Sequence, residues 1–259
     1  MYNPTRPVEL QSAIGRQFGS NLLHYAKGRR GYPEAIFALL SRYVGFEEAV
    51  LDVGCGSGIA TRELFEYGFQ NVTGSDPDAE MIREAKYSSH PSIAYVEAEA
   101  EKLPFPDKHF SCLTAFASFH WFCNNEAIHE IKRVLLSEGY FLVVNRQDLS
   151  SFRRDFESFL EHALGKSIYH TKEGYEPERL LLEAGFEISE ELSIEHVDSY
   201  TLEEALHYCQ SLSIWHALST PEKEKLLPQV AGFLECWIEQ GQFLREVKIN
   251  CNLVRKLNN

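Results

Sequence analysis

Three glycines at alternate positions, Gly54, Gly56 and Gly58, follow an apolar run that carries a carboxylate, Val50-Leu51-Asp52-Val53. Helix-like sequence resumes at once, as Ile59-Ala60-Thr61-Arg62-Glu63-Leu64. Glycine reaches backbone angles closed to other residues and lets a ligand lie against the main chain. A buried strand that passes through such a turn into a helix is where open α/β sheets hold nucleotide-like cofactors. The spacing narrows the ligand. A dinucleotide fingerprint needs G-x-G-x-x-G, and Ile59 or Thr61 stands where its third glycine belongs. A P-loop needs Gly-Lys-Ser/Thr, and Gly58 is followed by Ile59. Asp52 beside the loop repels a phosphate and suits a cationic ligand. A tight turn that binds nothing is the alternative.

Two further acids stand at the ends of the next strand candidates: Asp76, in Gly74-Ser75-Asp76-Pro77, and Glu99, in Glu97-Ala98-Glu99-Ala100-Glu101. In a doubly wound sheet these ends line one crevice. A carboxylate after the second strand can accept both hydroxyls of a ribose. Pro77 fixes its own φ and holds the turn behind it. Glu99 could accept from the exocyclic amine of an adenine. Any one of these acids, taken alone, reads equally well as a solvated loop residue; three at consecutive strand ends beside a glycine loop do not.

The elements that must position these residues follow from apolar periodicity. Strand-like runs alternate with helical patterns over residues 33–147, which argues for a parallel sheet. Strands are expected at Ala49–Val53, Val72–Ser75, Ile93–Glu97, Phe110–Ala117 and Gly139–Asn145. Helices are expected at Pro33–Tyr43, Ile59–Tyr67, Ala79–Tyr87 and Asn125–Leu136. Beyond Asn145 the pattern changes. Residues 151–184 read as helical, with Phe152, Phe156, Phe159 and Leu160 on one stripe. Phe186–Val197 and Phe243–Val254 read as strands. Between them, residues 200–241 read as a helical insertion, opened by the capping box Thr201-Leu202-Glu203-Glu204 and by Thr220-Pro221.

The chain has 259 residues, enough for one large α/β domain or a core with a lid. No apolar run approaches the roughly 20 residues of a membrane span. No secretory signal is read at Met1-Tyr2-Asn3-Pro4-Thr5-Arg6, so no membrane association is expected and the cytoplasm is the expected compartment. The six cysteines are scattered and form no C-x-x-C pair, so they read as reduced packing thiols. His24, His162, His170 and His207 show no ligand spacing, and no metal site is assigned. The formal charge of −13 repels a phosphate backbone, so no nucleic-acid partner is expected. The nearest basic candidates, Lys27-Gly28-Arg29-Arg30 and Arg153-Arg154, are short and flanked by acids.

Leu51–Gly58, Asp76, Glu99-Ala100-Glu101-Lys102-Leu103-Pro104-Phe105 and Phe110–Phe122 together resemble class I S-adenosylmethionine-dependent methyltransferases. The likeness is to the type 11 small-molecule group, including enzymes like trans-aconitate methyltransferase, and it covers about residues 20–147. It implies an α/β fold, a doubly wound, mostly parallel seven-stranded sheet (the Rossmann-like methyltransferase fold), with a helical lid insertion. It implies S-adenosylmethionine as cofactor and a small-molecule methyl acceptor as partner. By motif, Gly54 and Gly56 would hold the methionine moiety, with Asp52 near its cationic amino group. Asp76 would hold the ribose, followed by Pro77. Glu99 and Ala100 would read the adenine, and Ala117 would offer its carbonyl near the amino-acid end. Tyr25-Ala26-Lys27-Gly28-Arg29-Arg30-Gly31-Tyr32-Pro33 resembles the family's Y-x-x-x-R-P-x-Y-P segment. There Tyr25 and Arg29 would cover the cofactor. Arg30 stands where the family has proline, and Glu99 where aspartate is commoner.

The organisation implied is an N-terminal helical cap over residues 1–32, a cofactor-binding core over 33–147, and a substrate-side half over 148–259 within the same domain. A sulfonium is already an activated methyl donor, so catalysis is mainly in-line placement of the acceptor and exclusion of water. Enzymes that methylate amino groups of nucleic-acid bases or of protein glutamine carry an Asn/Asp-Pro-Pro-Tyr/Phe tetrad, and Ala117-Ser118-Phe119-His120-Trp121-Phe122 in its place argues against those substrates. His120 is the candidate acid or base, its unperturbed pKa lying near neutrality; packing against Trp121 is the other reading. Trp215 and His216 either line a lid or bury against the core. A cofactor-binding regulatory protein on the same fold is the alternative function. The acceptor and the oligomeric state are not legible.

Overall fold

The computed structural model describes His24, residues 27–168 and residues 175–257. Five strands run parallel: β1 (Ala49–Val53), β2 (Asn71–Asp76), β3 (Ala94–Glu97), β4 (Phe110–Phe116) and the first part of β5 (Leu135–Asp148). Two long strands, β6 (Phe186–Tyr200) and β8 (Gln242–Lys256), complete the sheet in the order β3-β2-β1-β4-β5-β8-β6. Strand β8 is antiparallel to both β5 and β6. A two-residue strand, β7 (Ile238–Glu239), pairs back onto β8, so the sheet has eight strands where seven were expected. The helices are α1 (Glu34–Ser41), α2 (Ile59–Tyr67), α3 (Ala79–Tyr87), α4 (Asn125–Val134), α5 (Phe152–Leu164), α6 (Pro177–Glu183), α7 (Leu202–Gln210), α8 (Ser213–His216) and α9 (Thr220–Glu235).

Successive strand residues point to opposite faces, and each face has its own core. Leu51, Val53, Leu113, Ala115, Phe141 and Val143 pack against Ile128 and Ile131 of α4. Val50, Cys112, Leu142 and Val144 pack against Ile36 and Leu40 of α1 and Leu64 of α2. Asp52 and Thr114 share that second face, which puts them under α2 beside Thr61.

Strand β5 outruns its expected end at Asn145. Strand β4 stops opposite Val144, but β8 goes on pairing with Asn145 through Asp148. An antiparallel partner thus carries Arg146, Gln147 and Asp148 past the carboxyl edge of the parallel sheet. Strand β6 extends likewise, pairing to Tyr200 opposite Phe243.

A third core joins the insertion to this projecting wall. Phe152, Phe156 and Leu160 of α5 bury against Tyr208, Trp215, Leu226, Val230, Leu234 and Phe243. Trp215 and His216 are buried there, so core packing is what they do. Phe152 is fully buried, with its ring 4.5 Å from that of Phe243. Phe152→Ala is expected to lower stability by about 3–5 kcal/mol. Chemical denaturation measures it, and amide exchange should quicken in α7 and α9 before the parallel sheet.

Candidate active site

The glycine loop folds back on β2. The Gly54 and Cys55 N–H groups both donate to the Ser75 carbonyl, at 2.8 and 2.9 Å. Gly54 and Gly58 have φ of +69° and +77°, a conformation open to glycine. The Gly56 N–H donates to Asp76 Oδ2 at 2.9 Å, and the Asp78 N–H to Asp76 Oδ1 at 3.0 Å. Two backbone donors therefore fix the Asp76 carboxylate at the end of β2. Burial still outweighs them and pushes its pKa up to about 6.

Asp52 is buried beneath the loop and accepts from Thr61 Oγ1 at 2.7 Å and Thr114 Oγ1 at 3.0 Å. Burial dominates again and raises its pKa to about 7. A raised carboxyl pKa favours folding most at low pH, and the contribution is lost as pH rises through about 7. Asparagine keeps both threonine partners, since a hydroxyl can donate or accept. Asp52→Asn is therefore expected to gain on the wild type from pH 5 to 8, by about 1.4 kcal/mol per pH unit at most. Denaturation midpoints against pH check the slope; a constant difference would contradict it.

The strand-end wall continues through Glu99, Ala100 and Glu101 after β3, and through Ala117, Ser118, His120, Trp121 and Phe122 after β4. Ala117 has φ +49°, and its N–H donates to the Val144 carbonyl at 2.7 Å. Ser118 Oγ donates to the Val53 carbonyl at 2.8 Å, tying this turn to the glycine loop. His120 sits in a 3₁₀ turn, its ring 4.9 Å from Trp121 and 6.0 Å from Tyr175. Of the four aromatics in this segment, Phe116, Trp121 and Phe122 line the cavity, while Phe119 belongs to the core.

The opposite wall comes from residues 27–32, the projecting end of β5, α5, β8 and the insertion. Arg29 Nη2 donates to the Ser211 carbonyl at 2.8 Å. Arg30 pairs with Glu204 at 2.9 Å and lies 4.2 Å over the Tyr200 ring. The Tyr32 N–H donates to the Glu63 carboxylate, which anchors this segment to α2. Arg146 and Arg245 share Asp198, at 3.4 and 3.0 Å, and Arg245 also pairs with Asp148.

Both walls enclose a cavity of about 550 Å³, within the range of small-molecule sites. Arg29, Asp52, Gly54, Gly56, Asp76, Pro77, Glu99, Ala100, Ala117 and His120 all line it. Tyr25 lies outside the described residues. The basic pairs Arg29-Arg30 and Arg153-Arg154, weighed in the sequence as nucleic-acid contacts, line the same cavity. Sequence reasoning missed Arg146, Asp148, Tyr208 and Arg245 as site residues. The usable sign for the first two was their position just after the apolar run Phe141-Leu142-Val143-Val144.

The strand-end wall carries Asp52, Asp76, Glu99 and Glu101 and no lysine or arginine. That set of acceptors repels phosphate and takes hydroxyl and amine hydrogens, so it fits an adenosine with a cationic tail. Residues 51–143 match the family described as "Methyltransferase domain". An uncharacterized methyltransferase of Schizosaccharomyces pombe is 27% identical over 241 residues, covering 92% of this chain and 94% of that one. The chain spans about half the length of other curated methyltransferases it matches at 33–35% identity. Among solved structures, one assigned as a type II methyltransferase from Anaeromyxobacter dehalogenans superposes with a TM-score of 0.60. It is 23% identical, over 89% of this chain and 99% of that one. Phosphoethanolamine N-methyltransferase 2 of Haemonchus contortus, solved with S-adenosylhomocysteine, gives 0.55 at 16% identity, over 99% of this chain and 62% of that one. The domain match and the relatives support an S-adenosylmethionine-dependent methyltransferase, and the solved structures share its Rossmann-like α/β fold. Among the described residues, no helix is long and apolar enough to cross a membrane.

Proposed function

We propose that the chain methylates a small-molecule acceptor, as the trans-aconitate methyltransferase-like group does. The carrying observation is one cavity with an acidic, glycine-lined wall at the strand ends and a separately built wall facing it. When bound, S-adenosylmethionine supplies an electrophilic methyl group on a sulfonium. Gly54 and Gly56 leave room for its methionine part, and the charge of Asp52 complements the amino group. Asp76, backed by Pro77, accepts from the ribose hydroxyls. Glu99 and the Ala100 backbone read the adenine, and the Ala117 carbonyl meets the amino-acid end. Tyr25 and Arg29 cover the cofactor.

Residues 27–32 and the 200–241 insertion act as the lid. Contacts between them support this: Lys27 pairs with Glu203, Arg29 with the Ser211 carbonyl and Arg30 with Glu204. Closing such a lid excludes water and fixes the acceptor in line. His120, on the cavity wall beside Trp121, takes the acceptor's proton where one must leave. The test is incubation of the pure protein with methyl-labelled S-adenosylmethionine and a metabolite extract. Label is expected in a small molecule; label in no product would overturn the reading.

A further inference from the structure

The two walls of the cavity carry opposite charge. The strand-end wall has only carboxylates. The facing wall has Arg29, Arg30, Arg146, Arg153, Arg154 and Arg245 beside Asp148 and Glu157, while Asp198 pairs Arg146 and Arg245 and Glu204 pairs Arg30 from outside the lining. This concentration of guanidinium stands out in a chain with a net charge of −13. Asp148 is held by Arg245, and Glu157 by Arg153 Nε at 2.7 Å. Arg153 reaches Ser213 Oγ at only 3.4 Å and keeps further donors in hand.

Two donors on this wall are buried without a hydrogen-bond partner: the Tyr208 hydroxyl and Arg146 Nε. Folded proteins leave few such groups unpaired. Tyr208 is held firmly. Arg245 lies 4.7 Å over its ring, and its backbone packs so closely on Gly28 that a Cβ there would come within 2.5 Å. The carboxylates that pair these arginines leave the Tyr208 hydroxyl and Arg146 Nε unmet, and an oxyanion supplies acceptor atoms for donors of this kind.

We infer that this wall is the acceptor subsite, that it takes a small molecule bearing a carboxylate or phosphate group, and that Tyr208 and Arg153 hold that group. This rests on the methyltransferase reading and adds the acceptor's chemical class. Tyr208 becomes a specificity-determining residue in a part of the chain outside the methyltransferase domain match.

The experiment is calorimetric titration of the protein saturated with S-adenosylhomocysteine, using citrate, inorganic phosphate and, as a neutral control, glycerol. Saturation fills the cofactor's own carboxylate site, so any anion bound lies elsewhere. Citrate or phosphate is expected to bind saturably and glycerol not at all; which anion binds tells a carboxylate from a phosphate acceptor. Tyr208→Phe and Arg153→Gln are each expected to weaken that binding at least about tenfold and leave S-adenosylhomocysteine affinity unchanged. Tyr208→Phe removes only an unpaired hydroxyl, so its thermal midpoint should not fall. Absence of anion binding by the loaded wild type, or unchanged anion affinity in Tyr208→Phe, would overturn the inference. Failure of S-adenosylhomocysteine itself to bind would instead overturn the reading beneath it.

Discussion

Asp76→Ala is expected to weaken S-adenosylmethionine binding by about 100-fold or more. The carboxylate stands at the end of β2, buried and oriented by the Gly56 and Asp78 N–H groups, with its remaining lone pairs available to a diol. Two hydrogen bonds to a charged acceptor contribute about 1.5–3 kcal/mol each, and about 3 kcal/mol already corresponds to more than 100-fold. The pH dependence has a definite sign. A ribose diol donates two hydrogen bonds to the carboxylate, whereas protonation turns one oxygen into a donor and weakens the bond to the other. Affinity should therefore fall as pH drops through about 6, the value to which burial raises this group, and level off above it. Asp76→Asn should abolish that inflection. Calorimetric titrations from pH 5 to 8 read both effects.

Gly54→Val is expected to abolish cofactor binding and to destabilise the fold together. At φ +69° an L-residue is strained by about 1–2 kcal/mol, and β-branching makes this worse. The surroundings add to it: a Cβ at Gly54 would lie 2.7 Å from Ser118 Cβ and 3.1 Å from the Phe122 ring. Gly165 provides the comparison, because its φ is +66° and a Cβ there meets nothing within 4 Å. Gly165→Ala should show the backbone strain alone and bind normally. Gly54→Ala should lose more stability than Gly165→Ala by denaturant titration. Equal losses would mean that the packing against Ser118 carries no weight.

The cofactor side was legible because its determinants are local. Gly54, Gly56, Asp76 and Glu99 are each read within a strand-turn-helix unit, where apolar periodicity fixes the strand end. The capping box at Thr201 was equally local, and it opens α7 as expected. The facing wall was hidden because it depends on partners far apart in the chain. Asp198 on β6 meets Arg146 on β5 and Arg245 on β8, and Asp148 meets Arg245 across 97 positions. Nothing in the residues around Arg146 announces that β8 will carry it past the sheet edge. Arg153-Arg154 shows the same limit: a basic pair is visible in sequence, but not the cavity that it faces. Asp52 was read as a ligand contact alone, whereas Thr61 and Thr114 hold both of its oxygens beneath the loop. That pairing follows from the shared sheet face, which is legible once β1 and β4 are known to be neighbours.

Calorimetric titration of the pure protein with S-adenosylmethionine near pH 7.5 tests the central claim most directly. One saturable site per chain is predicted, competed by S-adenosylhomocysteine and lost in Asp76→Ala. Absence of binding by either ligand, or binding that survives intact in Asp76→Ala, would contradict it.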